Sequence, residues 1–195
     1  MSKDRVEGFS DGVFAVALTL LVLGIRIPNI PAHSTSTEYL SLMAPIIPSV
    51  ISFILSFVII SVHWINHHYF FRHLHSTPIK IVWMNNFFLL WICFMPFPTA
   101  MLGSHPTDQF PLILFAINQL LCALTFFGFR IYATNKKLYV GEKESERYFG
   151  PRHSLPAIAI YTLTIVIAFV NTSAALAFLL LAPVLYFIPN KIKLE

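Results

Sequence analysis

Six stretches of the chain are predominantly apolar, the second continuing past Val62 as an aromatic and histidine-rich extension, and polar segments separate them. They cover about residues 9–27, 44–71, 81–102, 110–131, 155–170 and 174–189. A helix rises about 1.5 Å per residue, so roughly 20 apolar residues cross the hydrocarbon core of a bilayer. The first four runs reach or approach that length. The last two are shorter and are joined only by Asn171, Thr172, Ser173 and Ala174, which reads as a tight hairpin. Prolines punctuate the pattern: Pro28 and Pro31 close the first run, Pro78 precedes the third, and Pro96 and Pro98 should kink or end it. The segment from Asn29 to Ser41 reads as a polar loop, and a charged loop from Ala133 to Ser154 separates the fourth run from the fifth. The pattern predicts an all-α, polytopic integral membrane protein. Its 195 residues form a single six-span domain without internal repeat.

Composition sharpens this. Hydrophobic residues make up 56% of the chain and charged ones 11%, against about a quarter charged in soluble domains. Mean hydropathy is +0.71. Such a chain has too little polar surface to coat a water-facing globule, so the lipid bilayer is its expected solvent. Lys3 and Arg5 precede the first run as they would in a secretory signal. No small-residue cleavage site follows and five more runs do, so the run reads as the first transmembrane helix. Cys93 and Cys122 lie inside apolar runs, where a disulfide framework is not expected.

The formal net charge is +4, with no compact basic patch of the kind that binds nucleic acid. Lysine and arginine set the orientation instead. With six spans, Lys3, Arg5, Arg72, Lys80, Arg130, Lys136, Lys137, Lys143, Arg147, Arg152, Lys191 and Lys193 fall on one side, and Arg26 alone on the other. A five- or seven-span arrangement would spoil that asymmetry. The expected location is the cell membrane, multi-pass, with both termini cytoplasmic.

The first run is unusual because it carries Asp11 near its cytoplasmic end, with Arg5 six residues earlier. Ionisable groups at membrane depth are costly and usually functional. At about 100° per residue, Arg5, Phe9, Gly12, Val16, Leu20, Leu23 and Ile27 share one stripe, with Thr19 at its edge. Ser10 and Asp11 point away from the stripe, toward the rest of the protomer. Gly8, Gly12, Ala15 and Thr19 form a strip of small residues that allows close approach of another helix. Geometry alone leaves two readings open for Ser10 and Asp11. Either residue could simply cap the helix, or both could anchor it. An apolar stripe, likewise, suits lipid or packing as well as a pore.

Arg5, Phe9, Ser10 and Asp11 spell Arg-x-x-x-Phe-Ser-Asp. With the following Gly12 to Leu23 and with Pro96 to Leu102, this resembles the transmembrane protein 175 family of potassium channels, in its prokaryotic, single-repeat form. The resemblance implies a channel, not an enzyme, with no cofactor. Its partners would be potassium and other monovalent cations, and copies of the same chain, four around one pore. The first helix of each protomer would line that pore. Constriction layers fall by resemblance on Val16, Leu20 and Leu23, and a pore-adjacent hydroxyl on Thr19. The narrowest position usually carries isoleucine or leucine in the family, and Val16 departs from this. A structural network would join Arg5, Phe9, Ser10 and Asp11 to a histidine of the cluster ending the second run and to a tryptophan of the third. His67 and Trp83 are the candidates, with His68 and Asn66 as alternatives. No Thr-Val-Gly-Tyr-Gly-like stretch is present to form a carbonyl filter.

Two other function classes start from the same residues. His63, His67, His68, His73 and His75 crowd thirteen positions, and His63 and His67 share a helix face, as metal ligands can. A metal-dependent membrane enzyme or metal carrier would use that cluster, whereas an interfacial aromatic-histidine belt would need no metal. A proton-coupled transporter would use Asp11. Asn85, Asn86, Asn118 and Gln119, inside the third and fourth runs, are expected to serve packing through interhelical hydrogen bonds.

Overall fold

The computed structural model describes residues 2–141 and 150–187. Lys143, Arg147, Lys191, Lys193 and the last two residues of the sixth apolar run lie outside them. Eight α-helices appear among the described residues: α1 Lys3–Leu20, α2 Ser36–Met43, α3 Ile47–Arg72, α4 Ile79–Phe94, α5 Pro96–Ser104, α6 Gln109–Asn135, α7 Leu155–Ala168 and α8 Thr172–Phe187. Four continuous segments are long and apolar enough to cross a membrane: Lys3–Gly24, Ser36–Arg72, Ile79–Ser104 and Gln109–Asn135. The helices α7 and α8, of 14 and 16 residues, are shorter.

The ends of the elements depart from the apolar runs for local reasons. The helix α1 starts six residues before its run. Lys3 and Glu7 pair at i, i+4 at 3.9 Å, and Val6 joins the buried face. Ser10 and Asp11 therefore sit in its third turn, and the capping reading fails for both. Its last turn, Leu21–Gly24, tightens to a 3₁₀ helix, and Ile25 leaves in extended geometry. The expected polar loop contains α2. Thr35 Oγ1 accepts from the Glu38 N–H while Glu38 Oε2 accepts from the Thr35 N–H, a reciprocal capping box. The third run divides at Met95, because Pro96 has no N–H to continue the ladder.

Packing follows the order of the chain. The helix α1 lies against α3 and α4, α5 against α3, and α6 between α4 and α7, while α8 folds back on α7. Gln109 Nε2 donates to the Ala168 carbonyl, joining the start of α6 to the end of α7. At the opposite end, Lys3 Nζ donates to the carbonyls of Arg72 and Leu74. Leu74 also bridges Tyr139. The start of α1, the α3–α4 loop and the segment after α6 thus meet at one end of the bundle. The core there is aromatic: Phe70, Phe88 and Phe126 surround Phe129 with ring centroids 5.3–6.1 Å away.

Candidate ion-path helix and its anchoring network

One face of α1 is buried and the opposite face is not. Val6, Ser10, Phe14, Ala17 and Leu21, spaced four, four, three and four residues apart, are buried against α3 and α4. Val16, Leu20 and Leu23 stand 56%, 43% and 73% exposed. Arg5, Phe9, Gly12 and Ile27 share their open side. A Cβ placed on Gly8 or Gly12 would meet nothing within 4 Å, so the small-residue strip is also unpartnered among the described residues. Thr19 lies on the same open side and donates its hydroxyl proton to the Val16 carbonyl at 2.8 Å. That leaves the oxygen's lone pairs free to face outward.

The buried face is fixed by a directed chain of hydrogen bonds. Ser10 Oγ donates to the Val6 carbonyl at 2.8 Å and accepts from Asn85 Nδ2 at 2.9 Å. Asn85 Oδ1 accepts in turn from His67 Nε2 at 2.8 Å, so that nitrogen carries the proton. Ser10, Asn85 and His67 are all buried. The imidazole of His67 stacks on Phe71 at 4.4 Å and meets Phe14 edge-on at 5.5 Å. A second buried pair lies one turn earlier on α3: His63 Nε2 bonds Gln119 Oε1 at 3.1 Å, and Gln119 Nε2 donates to Met95 Sδ. Each of these histidines thus holds an amide on another helix. Among the described residues no group of three or more histidine, cysteine, aspartate or glutamate side chains is arranged to hold a metal.

Asp11 lies at the border of the open face. Its carboxylate accepts from the indole of Trp64 at 2.8 Å, and Trp64 packs beside His68. The indole at Asp11 therefore comes from α3, while Trp83 on α4 stands 69% exposed. Asn66 donates to the Val62 carbonyl of its own helix. Arg5 is exposed and forms no ion pair among the described residues. Of the four amides expected to bridge helices, Asn85, Asn118 and Gln119 do so, Asn118 by donating to the Trp91 carbonyl. Asn86 is exposed instead. Sequence reasoning did not connect Asn85 to Ser10. The signal was an amide pair, Asn85 and Asn86, inside an apolar segment, but only the packing angle picks Asn85 and pairs it with a serine 75 residues earlier.

Fold and site together define a helical membrane protein whose first helix is anchored on one side and open on the other. Residues 5–96 match the family model described as endosomal/lysosomal potassium channel TMEM175. A potassium channel of Chamaesiphon minutus is 34% identical over 157 residues, covering 79% of this chain and 74% of that protein. One of a Chryseobacterium species is 29% identical across 98% of this chain and 95% of its own length. The crystal structure of a lysosomal potassium-selective channel TMEM175 homolog from Chamaesiphon minutus superposes with a TM-score of 0.82 at 27% identity, covering 94% of this chain and 95% of that one. The endosomal/lysosomal proton channel TMEM175 of Bos taurus is 29% identical, and this chain spans 39% of it. The chain belongs to the TMEM175 family. These relatives are ion channels by name, not enzymes.

Proposed function

We propose that this protein is a potassium-permeable cation channel built from four copies of the chain, with α1 of each copy lining the axis. The observation that carries the reading is the division of α1 into a bonded, buried face and an apolar face that is left open among the described residues. A single helix cannot enclose a path. Closed rotational symmetry is the simplest way to surround one with copies, and the uncovered Gly8–Gly12 strip gives a neighbouring helix room to approach. Six crossings fit the fold if α7, with the 3₁₀ turn Pro151–Ser154 before it, and α8 span the bilayer as a hairpin. Together, α7 and that turn reach about 29 Å. The positive residues then place both termini in the cytoplasm.

In this channel Val16, Leu20 and Leu23 form successive apolar rings. An ion passing them sheds part of its hydration shell, and potassium holds its water less tightly than sodium. The pore therefore favours potassium modestly, without a carbonyl filter, and a dry constriction of this kind can gate by dewetting. Thr19, its proton engaged by the backbone, offers lone pairs to a cation beside the rings. Ser10, Asp11 and His67 hold the helix rather than touch ions, and Arg5 and Phe9, exposed in the single protomer, would join them only through a neighbouring copy. Trp83, exposed in the single protomer, would enter that network only across a protomer boundary. The test is potassium flux into liposomes that hold only the purified protein. Leu20→Asn should wet the constriction, raise conductance and reduce discrimination against sodium. Unchanged current and selectivity in Leu20→Asn and Leu23→Asn would place the ion path elsewhere.

A further inference from the structure

The end of α1 is wound differently from the rest, and its buried side lies close against α5. Leu20 takes φ −69° and ψ −23°, and Leu21–Gly24 forms a 3₁₀ turn closed by the Ile25 N–H donating to the Val22 carbonyl at 3.1 Å. In a 3₁₀ helix residues three apart come toward eclipse, whereas in an α-helix they stand about 60° apart. The turn therefore brings Gly24 under buried Leu21, and Leu23 under Leu20 on the open face. Gly24 then abuts α5. A Cβ added to it would lie 3.0 Å from Ala100 Cβ and 3.5 Å from Ala100 Cα.

The surface that Gly24 touches is itself held. Thr99 donates its hydroxyl proton to the Met95 carbonyl and so accepts from Ser56 Oγ, at 2.8 Å in each case. A Cβ on Gly103 would stand 2.7 Å from Ser49 Cα, so α5 and α3 touch backbone to backbone. The break at Pro96 delivers this clamped helix beneath the end of α1. A side chain at Gly24 would push the turn off Ala100 and let it relax toward α-helical winding, which swings Leu23 away from Leu20.

We propose that Gly24 and Ala100 are positioning residues for ion discrimination: their close contact locks the 3₁₀ turn and thereby stacks Leu20 and Leu23 in one column of the ion path. This rests on the reading of α1 as the pore-lining helix. Neither residue touches an ion; both act through the direction in which Leu23 points.

The experiment compares the full-length chain with Gly24→Ala, Ala100→Gly and the double variant, reconstituted in planar bilayers, with oligomer mass measured alongside. Gly24→Ala should remain assembled and lose potassium preference over sodium several-fold. The double variant, which returns the missing space, should restore it. A wild-type ratio in assembled Gly24→Ala overturns the proposal, as does a loss that Ala100→Gly fails to repair. Cysteines decide the matter independently of how well Gly24→Ala assembles. Leu20→Cys and Leu23→Cys should both become sensitive to block by cadmium and Val22→Cys should not, with the unsubstituted chain and its own Cys93 and Cys122 as reference. Block at Leu20→Cys without block at Leu23→Cys overturns the stacking while leaving α1 in the pore. Block at neither overturns both.

Discussion

Asn85 is the residue on which the first helix most depends. It is fully buried, accepts a hydrogen bond from His67 and donates one to Ser10. A buried donor left without a partner costs about 1–3 kcal/mol. Asn85→Leu strands the His67 N–H and should lower the thermal unfolding midpoint of the purified protein by several degrees. Asn86→Leu, one residue on and exposed, should leave it unchanged; equal losses in the two variants would show that the chain of bonds contributes nothing. At Asp11 the contact is an acceptor role toward Trp64, which an amide oxygen can also fill. Asp11→Asn should therefore keep the Trp64 emission maximum near wild type, and Asp11→Leu should shift it. The same residues mark the limit of sequence reading. That Ser10 and Val16 lie on opposite faces of α1 follows from 3.6-residue periodicity alone. That the indole at Asp11 belongs to Trp64 rather than Trp83 depends on how far α3 and α4 are rotated about their own axes, which no spacing along one helix records.

At the scale of elements, hydropathy located the four segments long and apolar enough to cross a membrane, and local chemistry set their ends. The helix α2 was hidden because its residues are polar or isolated apolar, although Thr35 and Glu38 spell its start. Hydropathy does not reveal the start of α1 because its first turns are charged, yet Lys3 and Glu7 are good helix formers that pair across one turn. At Gly103 α5 and α3 approach more closely than Gly24 and Ala100 do, and Gly103 and Gly128 make a clean comparison. In Gly103→Ala the new Cβ meets backbone at 2.7 Å and cannot be accommodated by a side-chain rotation. Overpacking of this kind costs about 1–3 kcal/mol. In Gly128→Ala the nearest atom is the mobile end of Met84, 3.4 Å away, and alanine's helix propensity adds about 1 kcal/mol. Thermal melts should show Gly103→Ala well below wild type and Gly128→Ala at or above it. The reverse order would mean that α5 is not clamped to α3.

For the whole molecule, the expectation is a tetramer that depends on the open face of α1. Light scattering of the purified protein should give the mass of four chains, and Arg5→Ala or a bulky Gly12→Leu should shift it toward smaller species. A monomeric mass in both detergent and lipid would sink the assembly. The six-crossing arrangement predicts that a cysteine at Ser34 reacts with an impermeant thiol reagent from outside the cell and one at Lys136 does not. The bond between Ser10 and Val6 also bears on how the chain is made. Synthesis runs from the N-terminus, so α1 enters the membrane long before Asn85, its partner 75 residues later, has left the ribosome. During that interval a serine with an unsatisfied hydroxyl would sit in lipid. Ser10 avoids this by donating to a carbonyl of its own helix, so α1 can wait as a self-sufficient insert. Its commitment to the bundle is postponed until the third apolar segment arrives with the amide that completes it.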